Sequence, residues 1–344
     1  MEAAVIVTYR CQNRCLMCST WKFPTSPAEE FKPELLEKLP SLSFCNITGG
    51  EPFLRDDLTE IVTILKRKAK RIVISTNGYE TEKILALAEQ HQDIGFRISL
   101  EGLSVVNDEL RGKKDGFDHG YQSLLGLQRL KIKDIGFGIT VSDRNAQDML
   151  DLYKLAQDLK VEFATAAVHN SYYFHKEDNV FHNPEVVAAA FGQLRDELLK
   201  TWKVKNWYRA YFNHGLIEYV MGKQRLLPCQ AGTDLFFLDP RGEILPCNGM
   251  EEKVWMKSFG NLHEASFEEI WNSGKAQEAR ELVKDCPKNC WMIGSAGPAM
   301  RQNLGKTTAW VIKHKLASLL KMEHKKEVNE SPAKTYINRN HDRE

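Results

Sequence analysis

The chain has 344 residues, enough to bury a large α/β core together with a small second domain. Its 47 basic and 46 acidic residues leave a formal net charge of +1, which gives no electrostatic case for nucleic-acid binding. The apolar run 3–8 is too short for a signal peptide or a membrane span and has no basic leader, so we predict a cytoplasmic protein.

Short apolar runs alternate with helix-like stretches over the first half of the chain. The runs predict six strands, at Ala4–Thr8, Ser43–Thr48, Arg71–Thr76, Gly95–Leu100, Ile135–Val141 and Val161–Ala166. Alternation of strand and helix implies parallel pairing with helical crossovers. The sequence therefore predicts an α/β fold, with a partial (β/α)6 TIM-like barrel over residues 1–170.

Beyond residue 170 the alternation stops, and the composition suggests four further segments. An aromatic-rich, partly helical bridge covers 171–227, and a small α+β domain covers 228–297. A C-terminal amphipathic helix is predicted for 298–326, followed by a disordered tail, 327–344. The aromatic residues of the bridge either line a substrate cavity or pack a linker, and we favour packing because aromatic side chains are core residues first.

The C-terminal helix is strongly basic between residues 307 and 326, where apolar residues alternate with five lysines. Such a helix suits contact with an anionic membrane surface. The alternative is that the helix packs against its own domain. We favour this alternative because helices of this kind are more often packed in that way.

Seven of the eight cysteines fall into two groups. The first group is Cys11, Cys15 and Cys18, and the second is Cys229, Cys247, Cys286 and Cys290. In a chain without an export signal such groups indicate metal binding rather than disulfides, because the cytosol keeps thiols reduced. The eighth, Cys45, lies in an apolar strand and is predicted to be a buried structural thiol.

Polar and glycine-rich segments follow the first four predicted strands. The first cysteine group comes after strand one and Gly49-Gly50-Glu51-Pro52 after strand two, while Ser75 and Asn77 end strand three and Ser99 and Glu101 end strand four. Because the carboxyl ends of parallel strands meet at one edge of a sheet, all of them are expected to gather there.

The run Cys-x3-Cys-x2-Cys, combined with the Gly-Gly-Glu-Pro turn, resembles the radical S-adenosylmethionine (radical SAM) superfamily. The resemblance implies that Cys11, Cys15 and Cys18 bind a [4Fe–4S] cluster whose fourth iron is chelated by SAM. One electron from this cluster would then cleave SAM to a 5′-deoxyadenosyl radical, which abstracts hydrogen from a substrate carbon. A structural zinc site is the alternative for three close cysteines, but no histidine precedes Gln90 and the glycine–glutamate turn has no purpose there.

The resemblance also assigns residues to SAM itself. Gly49, Gly50, Glu51 and Pro52 would meet its amino group, with Glu51 supplying negative charge. Ser99 and Glu101 would contact the ribose and carboxylate. Met17, Ser75 and Asn77 complete the predicted cofactor-binding set, and Thr140 and Asn145 are weaker candidates. Met17 departs from the family, which usually has an aromatic residue there, so adenine would be contacted through backbone or held in a different pocket.

The second cysteine group resembles the SPASM/twitch extensions of radical SAM enzymes, including the segments Gly260-Asn261-Leu262 and Glu269-Ile270-Trp271. The full SPASM pattern has seven cysteines, whereas this chain has four. Four cysteines fit one fully ligated auxiliary [4Fe–4S] cluster, which would carry an electron away from a substrate radical. A four-cysteine zinc site is again the less favoured alternative.

Three functions remain open on this basis. The leading hypothesis is net oxidation of a small carbinol or saccharide-type substrate, with an electron donor such as flavodoxin or ferredoxin. The second is peptide or protein maturation, and the third, less favoured, is a non-catalytic iron–sulfur or zinc protein. The catalytic base is not identified by the sequence, and its candidates are Asp234, Asp239, His169, His175 and His214.

Overall fold

The computed structural model of the chain describes residues 1–247, 249 and 258–330. Within these residues nine strands form one sheet, in the order β6-β5-β4-β3-β2-β1-β7-β8-β9. The strands are β1 Glu2–Ile6, β2 Phe44–Thr48, β3 Ile72–Thr76, β4 Gly95–Ser99, β5 Ile135–Val141, β6 Glu162–Ala167, β7 Leu235–Leu238, β8 Glu243–Leu245 and β9 Gly260–Asn261.

Helices follow most of the strands. Those of the first half are α1 Leu58–Lys68, α2 Thr81–Gln90, α3 Ser104–Arg111, α4 Gly116–Arg129 and α5 Met149–Asp158. Those of the second half are α6 Pro184–Lys200, α7 Val204–Val220, α8 Phe267–Trp271, α9 Gly274–Lys284, α10 Ile293–Gln302 and α11 Leu304–Glu330. None of the described helices combines the length and apolarity that crossing a bilayer requires.

Strands β1 to β6 are all parallel, which confirms the predicted partial (β/α)6 barrel. The helices bury their apolar stripes against the outer face of the sheet, as Ile61 and Leu65 of α1 do. The inner face carries short polar side chains, among them Asn46, Ser75 and Ser99, together with apolar ones such as Ile6 and Phe163, and all of these line the barrel cavity. The barrel therefore has an apolar outer layer and a lumen of mixed polarity.

The C-terminal segment continues this sheet. Strand β7 pairs in parallel with β1, with Glu2 opposite Leu235, and β8 and β9 add antiparallel strands beyond it. The short helix α8 begins with a capping box, in which Ser266 and Glu269 each bond the other's backbone. The α+β character predicted for 228–297 is present, but its strands extend the barrel sheet directly.

The prediction of one helix over 298–326 is wrong, because two helices occupy this part of the chain. Asn303 ends α10, and its side-chain amide donates to the Ala299 carbonyl, 2.9 Å away. The second helix, α11, then runs to Glu330. The first four residues of the predicted tail, 327–330, are therefore helical. The rest of the predicted tail, 331–344, lies outside the described residues.

The predicted bridge contains two helices, α6 and α7, which lie against each other beyond β6. The buried Trp291 from the C-terminal segment packs against Gly215 of α7 and donates from its indole nitrogen to the Phe212 carbonyl, 2.8 Å away. A Cβ atom at Gly215 would overlap the Trp291 ring. Glycine is therefore required here by close packing.

We expect Gly215→Ala to destabilise the protein by at least about 1 kcal/mol, because overpacking a core exceeds the helix-propensity gain of alanine. The matched control is Gly192→Ala in α6, where an added Cβ meets nothing within 4 Å. That variant should be stabilised by about 0.5–1 kcal/mol. Denaturant unfolding of both variants tests this, and a Gly215→Ala protein as stable as the Gly192→Ala protein would contradict it.

Candidate functional site

All seven cysteines of the two groups line one cavity of about 1910 Å³. The cavity runs through the lumen of the barrel to the loops at the carboxyl edge of the sheet, where the sequence predicted the site. Met17, Gly49, Gly50, Ser75, Asn77, Ser99 and Glu101 also line it. Glu51 and Pro52 are buried and do not.

The loop that carries the first cysteine group is fixed by α3. The Arg14 amide donates to the Arg111 carbonyl at 3.0 Å, and the Leu16 amide donates to the Leu110 carbonyl at 2.8 Å. Burial raises the pKa of the Cys11 thiol to about 12 and that of Cys15 to about 11. The free thiols are therefore protonated at neutral pH, and binding to iron must release their protons.

The Gly49–Gly50 turn lies directly against the cysteine loop. The Gly50 amide donates to the Thr8 carbonyl at 2.7 Å, and the Glu51 amide donates to the Arg10 carbonyl at 2.8 Å. A Cβ atom at Gly49 would lie 2.6 Å from the Thr8 carbonyl oxygen, and one at Gly50 would overlap the Arg10 backbone. Glycines are therefore needed here because two backbone segments touch.

Glu51 joins this turn to the end of β3. Its carboxylate accepts hydrogen bonds from the Thr76 hydroxyl and the Asn77 amide, each at 2.7 Å, and from the Phe53 amide at 3.1 Å. Burial raises the pKa of this carboxyl group, although the three hydrogen bonds oppose the change. Since Glu51 does not reach the cavity wall, its predicted contact with the SAM ammonium group stays a prediction.

Glu101 forms a buried ion pair with Arg111, whose Nη1 lies 2.8 Å from Oε1. The Thr140 amide donates to the other carboxylate oxygen at 2.7 Å, and the Asn145 side chain donates to the Glu101 carbonyl at 2.8 Å. The weaker candidates Thr140 and Asn145 therefore position the loop of Glu101.

Arg111 is the main residue that the sequence analysis missed. It lines the cavity, its Nε is buried without a hydrogen-bond partner among the described residues, and its charge acts on Cys11 and Cys15. In the sequence Arg111 stands before Gly112 and carries only the signal of a helix end. Nothing in that pattern indicates that it folds back onto Glu101.

The chain after β6 closes over the first cysteine loop. The Tyr173 hydroxyl donates to the Gly49 carbonyl at 2.6 Å, and the Ser19 amide donates to the Phe174 carbonyl at 2.7 Å. Asn179 donates from its side chain to the Met17 carbonyl at 3.1 Å. The sequence contains no signal for this bond, because Asn179 and Met17 are far apart in the chain.

The aromatic residues of the bridge divide between the two roles that the sequence left open. Tyr173, Phe174, Tyr208 and Phe212 line the cavity. Trp207 and Tyr211 pack in the core instead, whereas the exposed Trp202 does neither. Packing, which we favoured, therefore accounts for only part of the segment.

Two cysteines of the second group, Cys247 and Cys290, lie beside Gly249. A Cβ atom at Gly249 would lie 3.6 Å from the Cys247 sulfur and 3.9 Å from the Cys290 sulfur. Burial raises the pKa of the Cys247 thiol to about 12, and the neighbouring Cys229, Cys290 and Cys286 raise it further. The four thiols are thus close enough to act on one another, as ligands of one cluster must be.

The described residues include no group of three or more His, Cys, Asp or Glu side chains placed to hold a single metal ion. A four-iron cluster does not need such convergence, because each thiolate bonds a different iron. The arrangement of thiols in both groups is therefore compatible with clusters.

Only one of the five candidate bases lines the cavity. The Nδ1 atom of His169 lies 3.3 Å from the Ala167 carbonyl, and its Nε2 is buried without a partner in the described part of the chain. Burial lowers the pKa of His169 to about 4, so the ring is neutral at neutral pH. The other four candidates, Asp234, Asp239, His175 and His214, do not line the cavity.

Comparison with protein families gives two matches. Residues 5–156 match the radical SAM superfamily, and residues 229–292 match the SPASM iron–sulfur cluster-binding domain. The two matched regions contain the two cysteine groups, one each.

Two curated proteins illustrate the similarity to individual relatives. The chain is 30% identical to Fe-coproporphyrin III synthase of Methanosarcina barkeri over 164 residues, covering 45% of this chain and 40% of that protein. It is 26% identical to PqqA peptide cyclase of Xanthomonas axonopodis pv. citri over 308 residues, covering 82% of this chain and 78% of that protein. The chain spans 40% to 60% of the length of several other curated relatives.

Among solved structures, native anSMEcpe with bound AdoMet and the Cp18Cys peptide has the same fold. The TM-score is 0.61 at 15% sequence identity, and the alignment covers 91% of this chain and 99% of that one. The two family matches show that the chain contains a radical SAM domain and a C-terminal SPASM domain, which imply SAM, a catalytic [4Fe–4S] cluster and an auxiliary [4Fe–4S] cluster as cofactors.

Proposed function

We propose that the chain catalyses a net two-electron oxidation of a peptide substrate bound between its two cysteine groups. The observation that carries the proposal is that both groups line one cavity. A substrate in this cavity can meet the first group, where SAM would bind, and the second group without leaving the site. Neither a purely structural metal site nor a simple electron carrier needs this arrangement.

The residues divide the chemistry between them. When bound, SAM and the catalytic cluster supply a 5′-deoxyadenosyl radical that removes one hydrogen atom from the substrate. A two-electron oxidation then requires the substrate to lose one proton and one electron. His169 would accept the proton, because it lines the cavity and its Nε2 has no other partner in the described part of the chain, although burial makes the ring a weaker base. Cys229, Cys247, Cys286 and Cys290 would hold the auxiliary cluster that accepts the electron.

A peptide is the favoured substrate because a relative that aligns over both domains, PqqA peptide cyclase, acts on one by its name. The cavity volume of about 1910 Å³ exceeds the 300–1,000 Å³ of ordinary small-molecule sites, although SAM and the clusters take a share of it. A flavodoxin or ferredoxin would supply the electron for SAM cleavage.

A small carbinol or saccharide is the second candidate, and a set of polar side chains in the lumen favours it. Asn46, Ser75, Ser99 and Thr140 line the cavity with groups that can bond substrate hydroxyls. Incubating the reconstituted enzyme with candidates of each class, and measuring which one stimulates 5′-deoxyadenosine formation, separates the two. Stimulation by saccharides alone would reject the peptide proposal.

Arg111 is proposed to bind the SAM carboxylate, because it is the buried cation of the cavity that faces the first cysteine group. We expect Arg111→Gln to weaken SAM binding by at least tenfold, since a charge-assisted hydrogen bond is lost and Glu101 is left buried without its cation. Isothermal titration of the reconstituted protein with SAM measures this.

The matched control is Arg144→Gln, which removes an exposed arginine that lies 3.5 Å from Glu109. Exposed pairs contribute little, so its SAM affinity should match that of the wild type. Unchanged affinity in Arg111→Gln, with the cluster content intact, would remove Arg111 from the SAM site.

A further inference from the structure

The C-terminal helix α11 has one buried face and one exposed apolar face. Thr307, Val311 and Lys315, four residues apart, are buried against the α6–α7 pair, as the packing prediction expected. Ile312 and Leu316 are 55% and 57% exposed, and Leu320, one turn further, is 66% exposed. These three leucine and isoleucine side chains lie on one stripe, because residues four apart share a helix face.

An exposed tryptophan flanks this stripe. Trp202, in the corner between α6 and α7, is 75% exposed, and the Lys315 ammonium group lies 4.5 Å from the centre of its ring. The same ammonium group donates to the Leu199 carbonyl at 2.6 Å and to the Thr201 carbonyl at 3.1 Å. Lys315 therefore caps the C-terminus of α6 and links the corner that contains Trp202 to α11, next to Leu316.

The two chain segments that carry the stripe and Trp202 are free of acidic residues. No Asp or Glu occurs between Cys286 and Met322, or between Leu198 and Ile217, although the whole chain is nearly neutral. Lys313 and Lys306 are exposed and lie on the next face of α11, and Lys203 is exposed beside Trp202. The ion pairs of the described residues involve none of these three lysines. The apolar stripe thus has Trp202 at one border and lysines without ion pairs at both borders. This pattern is typical of a helix that lies in a membrane interface.

We propose that the face formed by Trp202, Ile312, Leu316 and Leu320 docks on the surface of an anionic lipid bilayer. Trp202 and the aliphatic side chains would enter the headgroup region, and Lys203, Lys306 and Lys313 would pair with lipid phosphates. The lysine border favours lipid over a second copy of this chain, because two copies facing each other would bring these cations together.

Vesicle co-sedimentation of the reconstituted full chain tests the proposal. Vesicles of phosphatidylcholine with phosphatidylglycerol should bind it, vesicles of phosphatidylcholine alone should bind it much more weakly, and added salt should reverse binding. Leu316→Glu should weaken binding at least tenfold. The matched control is Val186→Glu, which adds the same charge at an exposed apolar position in the first turn of α6 and should bind like the wild type.

A second variant separates charge from folding defects. Lys306→Ala with Lys313→Ala leaves the apolar stripe intact, and it should weaken binding about fivefold for each lysine and flatten the salt dependence. Absence of binding to anionic vesicles at low salt would overturn the proposal. So would self-association that is abolished by Leu316→Glu, or binding that is the same for both vesicle types.

Discussion

Cys15→Ala is expected to abolish the formation of 5′-deoxyadenosine and to leave only the iron of the second cysteine group. Two thiols remain in the first loop, which is too few to hold a cluster with one open iron. The loss should exceed a hundredfold, because the loop between Cys11 and Cys18 contains no further cysteine that could replace Cys15. The measurement is anaerobic: after reconstitution with iron and sulfide, SAM and dithionite are added and 5′-deoxyadenosine is quantified by chromatography.

The control for this experiment is Cys45→Ala. Cys45 is fully buried in β2, does not line the cavity and has its pKa raised by burial alone, so its removal should leave the iron content unchanged. The Cys15→Ala protein should contain about four iron atoms per chain fewer than the Cys45→Ala protein. Normal SAM cleavage by Cys15→Ala would overturn the ligand assignment.

Cys286→Ala is expected to separate SAM cleavage from product formation. The first cysteine group is untouched, so substrate-stimulated 5′-deoxyadenosine should still form, while the oxidised product falls by at least tenfold because the electron has no acceptor. The two products are measured in the same reaction. Full turnover by this variant would reject the electron-acceptor role of the second group.

A redox titration gives an independent reading of the same variant. The wild type should show two low-potential iron–sulfur signals by electron paramagnetic resonance, and Cys286→Ala should lose or alter one of them. Asp285→Ala serves as a neighbouring control that leaves all four thiols in place. Loss of both signals in Cys286→Ala would mean that the variant fails to fold, and Cys290→Ala would then be tested instead.

Local sequence patterns predicted much of the fold. The runs that became β2 to β6 are apolar and β-branched, and their alternation with helices leaves few arrangements other than a parallel barrel. The position of the site followed from the same pattern, because polar segments stand directly after the strands. The pairing of β7 with β1 could not be predicted, since Leu235 and Glu2 are far apart in the sequence and β7 has only four residues.

The residues that the sequence did not reveal act through distant partners. Arg111 matters because it reaches Glu101, and Asn179 matters because it bonds the Met17 carbonyl. Neither residue type is unusual at a helix end or in a loop. That the two cysteine groups share one cavity likewise depends on how the C-terminal segment folds back over the barrel.

The place of β1 in the sheet has a consequence for how the protein is made. Its two neighbours are β2 and β7, so one edge of β1 has no partner until residue 238 has left the ribosome. At 5–20 residues per second, roughly 10–40 s separate the synthesis of β2 from that of β7. The loop with Cys11, Cys15 and Cys18 extends from this strand, and the segment with Tyr173 and Asn179 that covers it also arrives late. Assembly factors that deliver iron and sulfide would find the loop uncovered during this interval, and closure of the sheet would then enclose what they had delivered.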